Sequence, residues 1–218
     1  MSEEKKDRKK DDPPAGGSPT TGDDPAAGAA PGATALLVVD MISRWDFPEG
    51  DTWCAAAEGI ADTIATLKAR CRAAGVPVIY ANDNRGRWRS DLRQLLAEAL
   101  DEGGAGAALT RRIAPDDDDY VVLKPQHSAF FATPLALLLE HLGVRRLLLT
   151  GLTSDQCILA TAIDARMRGL EIVVVRDGVA SLSGERNERV LRHFDEVLGL
   201  DLPDVDEVRV DAMKPATS

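Results

Sequence analysis

One cysteine of this chain lies where a thiol can act as a nucleophile. Cys157 follows the apolar run of residues 147–151, which has the length of a buried strand. Thr153 and Ser154 are good N-caps, so the pattern predicts that a helix begins just before Cys157. The first turn of a helix carries unpaired N–H groups and the positive end of the macrodipole, which favour a thiolate over a thiol. The spacing therefore predicts a cysteine nucleophile.

Asp40 and Lys124 are two further residues whose side chains can serve this thiol. Each follows a short apolar run of strand length, residues 33–39 for Asp40 and 120–123 for Lys124. In open parallel sheets, functional sites lie beyond the carboxyl ends of the strands. A carboxylate, an ammonium and a thiol are therefore predicted to converge in one crevice. There the carboxylate can act as a general base for the attacking thiol.

Strands and helices alternate along the chain and must position these three side chains. Apolar runs predict strands at residues 33–40, 76–81, 120–123, 145–150 and 170–175, with a short edge strand at 207–210. Helices are predicted at 53–74, 90–100, 134–143, 157–168 and 185–198, with Ser90 and Thr133 as caps and a Gly-rich turn at 101–108. This alternation is typical of an α/β fold, a three-layer α/β/α sandwich in which helices cover both faces of a mostly parallel sheet.

The chain is predicted to form one folded domain with two flexible ends. Residues 1–32 consist of Lys, Asp, Pro, Gly, Ser and Ala with almost no bulky apolar side chain, so we predict a disordered tail. Residues 33–212 form the predicted domain, which is long enough for a sizeable core, and residues 213–218 form a flexible C-terminus.

Composition limits the expected partners and compartment. The formal net charge is −10, whereas binding to phosphates needs concentrated Lys and Arg, so we expect no nucleic-acid partner. Because no apolar run has the length of a membrane span and the N-terminus is charged, we expect neither a membrane partner nor a signal peptide. Cys54, Cys71 and Cys157 do not form a disulfide framework, which favours a cytoplasmic setting. Cys54 and Cys71 are interpreted as packing residues of the first helix.

Three motifs follow one another at the ends of predicted strands. They read LLVVDMI at residues 36–42, VLKPQHSAF at 122–130 and TGLTSDQC at 150–157. Together they resemble the isochorismatase-like cysteine hydrolases, a superfamily that includes nicotinamidases, N-carbamoylsarcosine amidohydrolases and isochorismatases. The similarity extends over residues 33–200, which is nearly the whole predicted domain.

The resemblance implies a fold and a catalytic set. It implies a Rossmann-like sheet on which Asp40, Lys124 and Cys157 form a triad. It also implies a non-proline cis peptide between Leu152 and Thr153. The backbone N–H groups of Thr153 and Cys157 would then form an oxyanion hole.

The segment after the second strand departs from the metal-binding relatives. Nicotinamidases have an aspartate and histidines there that bind a metal, whereas this chain has Asn82, Asp83, Asn84 and Arg85 without a histidine. Asp83 alone is a poor metal site. The three histidines of the chain are far apart in sequence and lack ligand spacing, so we expect no metal and no other cofactor.

Three functions remain open at this stage. The first is hydrolysis of a C–N bond in a small amide or carbamoyl compound, with a thioester on Cys157. The second is hydrolysis of an isochorismate-like vinyl ether, in which Asp40 is the acid and Cys157 is not needed. The third is a non-catalytic binding or assembly domain, against which an intact set of Asp40, Lys124 and Cys157 argues.

Loop residues at the same edge of the sheet are candidates for the substrate pocket. We expect pocket walls from Trp45, Phe47, Trp88, His127 and Phe130, although aromatic residues on such loops also make subunit contacts. The arginines of the second loop (Arg85, Arg87 and Arg89) either recognise a substrate carboxylate or are simply solvated. By the resemblance, the chain is expected to form a homodimer or homotetramer that binds a small molecule.

Overall fold

The computed structural model of the protein describes residues 33–89, 91–101 and 106–210. The predicted disordered tail (1–32) and the predicted flexible C-terminus (213–218) lie outside these described residues. So do the predicted cap Ser90 and the middle of the predicted Gly-rich turn.

Five parallel strands form one sheet. They are β1 (Ala33–Val39), β2 (Val78–Asp83), β3 (Tyr120–Lys124), β4 (Val144–Leu152) and β5 (Glu171–Ala180). Their order across the sheet is β3-β2-β1-β4-β5, and every neighbouring pair is parallel. β1 and the Leu147–Leu149 part of β4 are apolar and buried because both faces of the sheet are covered.

Helices cover the two faces and complete the predicted three-layer sandwich. They are α1 (Gly50–Ala73), α2 (Leu92–Leu100), α3 (Ala107–Ile113), α4 (Leu135–His141), α5 (Leu159–Met167) and α6 (Gly184–Glu196). Alternate residues of β1 enter different cores: Leu36 and Val38 pack with α1, α2 and α3, whereas Leu37 and Val39 pack with α4, α5 and α6. The predicted fold class is therefore confirmed. Among the helices of the described residues, none combines the length and apolarity needed to cross a membrane.

Three local predictions are wrong. The second helix is capped by the Asp91 side chain, which accepts a hydrogen bond from the N–H of Gln94. Ala107 and Ala108, the end of the predicted Gly-rich turn, instead begin α3. The predicted edge strand at 207–210 is absent from the described residues, where a 3₁₀ turn (Val205–Glu207) is followed by irregular chain. There the carbonyl of Val208 accepts a hydrogen bond from the Arg70 side chain instead of joining a ladder.

Candidate active site

Three strand ends bring Asp40, Lys124 and Cys157 together. β1 lies between β2 and β4, and Asp40 follows β1 directly. Lys124 is the last residue of β3, two strands away, and its long side chain crosses beneath the end of β2. Cys157 belongs to the turn after β4, which we call the cysteine turn (Ser154–Ile158). The parallel arrangement places all three residues at one edge of the sheet.

Lys124 lies at the centre of this group. Its side chain is fully buried, and its Nζ lies 2.7 Å from Asp40 Oδ2. The same Nζ donates a hydrogen bond to Cys157 Sγ at 3.4 Å and another to the carbonyl of Gln126 at 3.2 Å. A buried ammonium with an ionic partner and two further acceptors is well satisfied, which a buried charge requires.

Asp40 is fixed by its own backbone and by the end of β2. Its φ is 53°, in the left-handed region that non-glycine residues rarely adopt. Its N–H donates to the carbonyl of Ala81 at 2.9 Å, and its Oδ1 accepts a hydrogen bond from the N–H of Asp83 at 2.7 Å. The second carboxylate oxygen, Oδ2, is thereby directed to Lys124.

Burial sets the protonation of the group. Burial, together with the charge of Asp40, raises the pKa of the Cys157 thiol to about 12, and Lys124 offsets only part of this. Burial also raises the pKa of Asp40, against the opposing effect of Lys124. Burial lowers the pKa of Lys124, but the charges of Asp40 and Cys157 outweigh it, so the net direction is upward. A thiol with that pKa keeps its proton at neutral pH.

The surroundings of Cys157 oppose the thiolate that a helix N-terminus is expected to favour. The prediction rested on the helix N-terminus alone, a contribution that falls off within one turn. The side chain of Cys157 is buried beside a carboxylate, and both features favour the neutral thiol.

The cysteine turn is a π-helical turn rather than the start of an α-helix. The N–H of Ile158 donates to the carbonyl of Thr153 five residues earlier, at 3.1 Å. Thr153 occupies the predicted N-cap position but makes no side-chain capping bond. The peptide bond between Leu152 and Thr153 is cis. The N–H of Cys157 lies in the first turn, where a helix leaves its donors without intrahelical acceptors.

Asp155 anchors the cysteine turn to the segment between β5 and α6. Its Oδ1 accepts a hydrogen bond from Ser181 Oγ at 2.7 Å, and its Oδ2 accepts one from Arg186 Nε at 2.9 Å. Burial opposes ionisation of this carboxyl, but the hydrogen bonds from Ser181 and Arg186 outweigh it and lower the pKa of Asp155. Asp155 and Arg186 therefore form an ion pair between the cysteine turn and α6.

A cavity of about 320 Å³ opens above the group. Asp40 and Cys157 line it, and Trp45, Phe47 and Trp53 form aromatic walls. The Phe47 ring lies 6.1 Å from that of Trp45 and 5.9 Å from that of Trp53, so the three rings form one continuous surface. A volume of this size suits a small organic molecule, at the lower end of typical ligand pockets.

His127, Gln156 and Arg85 add polar groups to the cavity lining. The Nδ1 atom of His127 lies 3.6 Å from Cys157 Sγ. His127 and Gln156 are exposed, so they lie at the mouth rather than the floor. Of the predicted pocket residues, Trp45 and His127 do line the cavity.

Trp88 and Phe130 do not line this cavity. Trp88 is 81% exposed, because the loop after β2 turns away after Gly86. Phe130 is 4% exposed and packs in the core beneath α4, α5 and α6, with the Arg168 guanidinium 5.0 Å from its ring centroid. Its loop folds back on α5, where the N–H of Ala129 donates to Thr161 Oγ1.

One aromatic wall, Trp53, was not among the predicted pocket residues, whereas Phe47 and Arg85 were candidates. Phe47 and Arg85 lie in the loops after β1 and β2, and Trp53 lies in the first turn of α1. The position of Phe47 and Arg85 in sequence indicated a place at the pocket, since both loops follow strands whose carboxyl ends meet at the site. Positive φ angles also concentrate at this cavity: Asp40, Trp45 and Arg85 have φ of 53°, 61° and 52°. Such backbone conformations cluster at functional sites.

The loop after β2 does not fit a metal ion. Asp83, the last residue of β2, offers a carboxylate at the start of this loop, but its Oδ1 already accepts a hydrogen bond from the N–H of Arg85 at 2.5 Å. Its Oδ2 lies 3.9 Å from Lys124 Nζ, so a cation is already nearby. No group of three or more His, Cys, Asp or Glu within the described ranges is arranged to hold a metal ion.

Comparison with known proteins places the chain in a family. The model of the isochorismatase domain matches residues 34–200. The uncharacterised isochorismatase family protein YaaI of Bacillus subtilis is 40% identical over 75% of this chain and 90% of its own length. Maleamate amidohydrolase of Pseudomonas putida is 30% identical over 76% of this chain and 80% of its own length. The crystal structure of nicotinamidase PncA from Bacillus subtilis superposes with a TM-score of 0.62 and 28% identity, covering 78% of this chain and 99% of that one.

The fold and these matches define an isochorismatase-like hydrolase, a class that includes amidases. The chain belongs to the isochorismatase family.

Proposed function

We propose that the protein is a cysteine hydrolase that cleaves the C–N bond of a small amide or carbamoyl compound. One observation is the main support: Lys124 Nζ lies 2.7 Å from Asp40 Oδ2 and 3.4 Å from Cys157 Sγ, at the floor of an open cavity. A base, a cation and a nucleophile in mutual contact form the set that acyl transfer requires.

The resting group contains a thiol and a carboxylate, and the reaction begins with proton transfer between them. Asp40 accepts the proton of Cys157 as Sγ attacks the substrate carbonyl carbon. The raised pKa of Asp40, caused by burial, makes it a stronger base than an exposed aspartate. Lys124 remains protonated throughout. Its positive charge balances the negative charge, which moves from the Asp40 carboxylate to the substrate oxygen.

The tetrahedral intermediate needs donors for its oxyanion. The N–H groups of Thr153 and Cys157 are our candidates, because Thr153 is the N-cap of the cysteine turn and Cys157 lies in the first turn of the helix that continues into α5. Loss of one such donor typically lowers the rate by about 10²–10³.

Collapse of the intermediate breaks the C–N bond. Asp40 returns its proton to the leaving ammonia or amine, and the acyl group stays on Sγ as a thioester. A water molecule that gives its proton to Asp40 then attacks the thioester and releases the acid. The proton finally returns to Cys157, so the enzyme is unchanged after each cycle.

Two relatives support a C–N bond as the target. Maleamate amidohydrolase and nicotinamidase are named for amide hydrolysis, and each aligns with most of this chain.

The test is the release of ammonia from a panel of small amides and carbamoyl compounds. Cys157→Ala should abolish turnover, because the thioester cannot form. Cys54→Ala is the matched control, since Cys54 is also buried but does not line the cavity, and it should retain activity. Turnover by the Cys157→Ala variant at the wild-type rate would refute covalent catalysis.

A vinyl ether hydrolase is the second candidate. Burial raises the pKa of Asp40, which favours a protonated carboxyl that can act as an acid. That chemistry does not need the thiol, so it predicts that Cys157→Ala stays active while Asp40→Asn is inactive. The two variants, assayed on an isochorismate-like vinyl ether and on the amide panel, separate the candidates.

A further inference from the structure

Arg85 is a cation of the cavity that the proposed reaction does not use. Among the described residues that line the cavity, it alone carries a permanent positive charge. Lys124 lies beneath the cavity, is fully buried and is engaged with Asp40. The guanidinium of Arg85 is therefore the positive group that a bound molecule can meet directly.

The loop after β2 holds this guanidinium at the cavity. Arg85 has a φ of 52°, and its N–H donates to Asp83 Oδ1. The next N–H, that of Gly86, donates to Asn84 Oδ1 at 2.9 Å. The guanidinium itself hydrogen-bonds to Ser43 Oγ and lies 5.4 Å from the Phe47 ring centroid. The side chain is 23% exposed, so it is largely oriented before any ligand binds.

The present ionic partner of Arg85 is easily replaced. Asp46 Oδ1 lies 3.2 Å from Arg85 Nη1, but the Asp46 side chain is 55% exposed. Asp46 Oδ2 also lies 3.7 Å from Arg44 Nε, and Arg44 in turn holds Asp101 at 2.8 Å. An exposed pair contributes little to stability, and a guanidinium has five N–H donors. A ligand carboxylate can displace Asp46 or share the guanidinium with it.

From this geometry we infer that the substrate of the protein carries a carboxylate, which binds the Arg85 guanidinium. The inference rests on the cysteine hydrolase chemistry proposed above and names its substrate class: a small acidic amide, such as the monoamide of a short dicarboxylic acid. Guanidinium binds carboxylate through two parallel N–H···O bonds, which fixes orientation as well as affinity.

The cavity also limits the rest of the substrate. The aromatic walls of Trp45, Phe47 and Trp53 favour an apolar or unsaturated spacer. β2, which precedes Arg85, and β4, which precedes Cys157, flank β1 on opposite sides. The carboxylate and the oxyanion therefore lie on opposite sides of Asp40, and a cavity of about 320 Å³ leaves room for only a short chain between them.

The experiment compares monoamides of four- and five-carbon dicarboxylic acids with their methyl esters, which lack the charge. Wild-type protein should favour the acid over the ester in kcat/KM by about 10- to 100-fold, the range expected for charge-assisted hydrogen bonds. Arg85→Gln should lose this preference by lowering kcat/KM for the acid, while the ester changes by less than about threefold. Arg85→Lys should retain part of the preference for the acid, because lysine keeps the positive charge but cannot donate two parallel hydrogen bonds to a carboxylate.

Arg87→Gln is the matched control. Arg87 lies in the same loop, pairs with Glu98 at 2.8 Å and does not line the cavity, so this variant should keep the wild-type preference for the acid. Equal kcat/KM for acids and esters in the wild type would overturn the inference. So would an Arg85→Gln variant that loses both substrates equally.

A second readout does not depend on turnover. The alkylation rate of Cys157 is measured by mass spectrometry with ω-haloacids of two to five carbons and with the corresponding haloamides. The rate with each haloacid is divided by the rate with its haloamide, and this ratio is divided by the same ratio for a free thiol. The normalised ratio should be about 10 or more in the wild type and near unity in Arg85→Gln. A ratio near unity in both proteins overturns the carboxylate site, even if amides are hydrolysed. A high ratio that Arg85→Gln abolishes upholds the site, even if no amide releases ammonia and the proposed hydrolase function fails.

Discussion

Replacement of Lys124 by methionine tests how the buried charges depend on one another. Lys124 has no exposed surface and contacts both Asp40 and Cys157. Methionine has a similar length but no charge, so the substitution keeps most of the packing and removes the cation. The carboxylate of Asp40, only 13% exposed, then has no ionic partner at 2.7 Å.

Removal of one partner of a buried ion pair typically costs about 3–5 kcal/mol of folding free energy. For a domain of this size, that loss corresponds to a Tm lower by roughly 6–20 °C. The base is affected as well, because Asp40 loses the group that lowers its pKa and its burial then raises the pKa further. A protonated Asp40 cannot accept the thiol proton, so kcat/KM should fall by about 10²–10⁴.

The destabilisation should depend on pH in one direction. A carboxyl whose folded-state pKa lies above its unfolded value stabilises the fold below the unfolded pKa, and this contribution is lost as the pH rises through the folded pKa. In the Lys124→Met variant the folded pKa of Asp40 rises further. The difference in unfolding free energy between wild type and variant should therefore be largest near pH 7 and shrink toward about pH 4, the unfolded value for Asp.

Urea denaturation at several pH values measures this difference, and ammonia release measures activity. The matched control is the double variant Asp40→Asn/Lys124→Met, which removes both charges and should recover part of the lost stability while remaining inactive. If the single variant were as stable as the wild type at pH 7, or if its loss were the same at all pH values, the buried ion pair would not have the energetic role described above.

Two further predictions concern the thiol and the strand that leads to it. The pKa of about 12 for Cys157 predicts that its alkylation rate rises about tenfold per pH unit from about pH 7 to pH 10, measured by mass spectrometry, whereas a plateau above about pH 8.5 would indicate an ordinary thiol. Gly151→Ala should lower the free energy of unfolding by about 2–5 kcal/mol in urea denaturation, because φ is +111° and the new Cβ would lie 2.1 Å from the backbone oxygen of Val39. Gly59→Ala, in open space within α1, should instead raise it by about 0.5–1 kcal/mol, and equal effects of the two variants would contradict this account.

The positions of Asp40, Lys124 and Cys157 were predictable from the sequence. An apolar run marks each preceding strand locally, and parallel strands share one carboxyl edge. The protonation state of Cys157 was not predictable in this way. It depends on burial and on Asp40, which is distant in sequence but adjacent in the fold.

The sequence was also insufficient to assign the pocket walls. Trp45 and Trp88 both follow strand ends at the site, yet one is 5% exposed and lines the cavity while the other is 81% exposed. The difference lies in the loop backbone, which a pattern of residue types does not determine. Phe130 was predicted from its closeness to Lys124 in sequence, but the intervening turn sends its ring into the core.

The aromatic walls of the cavity come from other parts of the chain than Lys124 and Cys157. Trp45, Phe47 and Trp53 belong to the segment between β1 and the first turn of α1, and Arg85 belongs to the loop after β2. The segment from Gly151 to Cys157 contributes no aromatic wall. Engineering for new substrates can therefore confine its sequence libraries to two short loops and leave Lys124 and Cys157 unchanged.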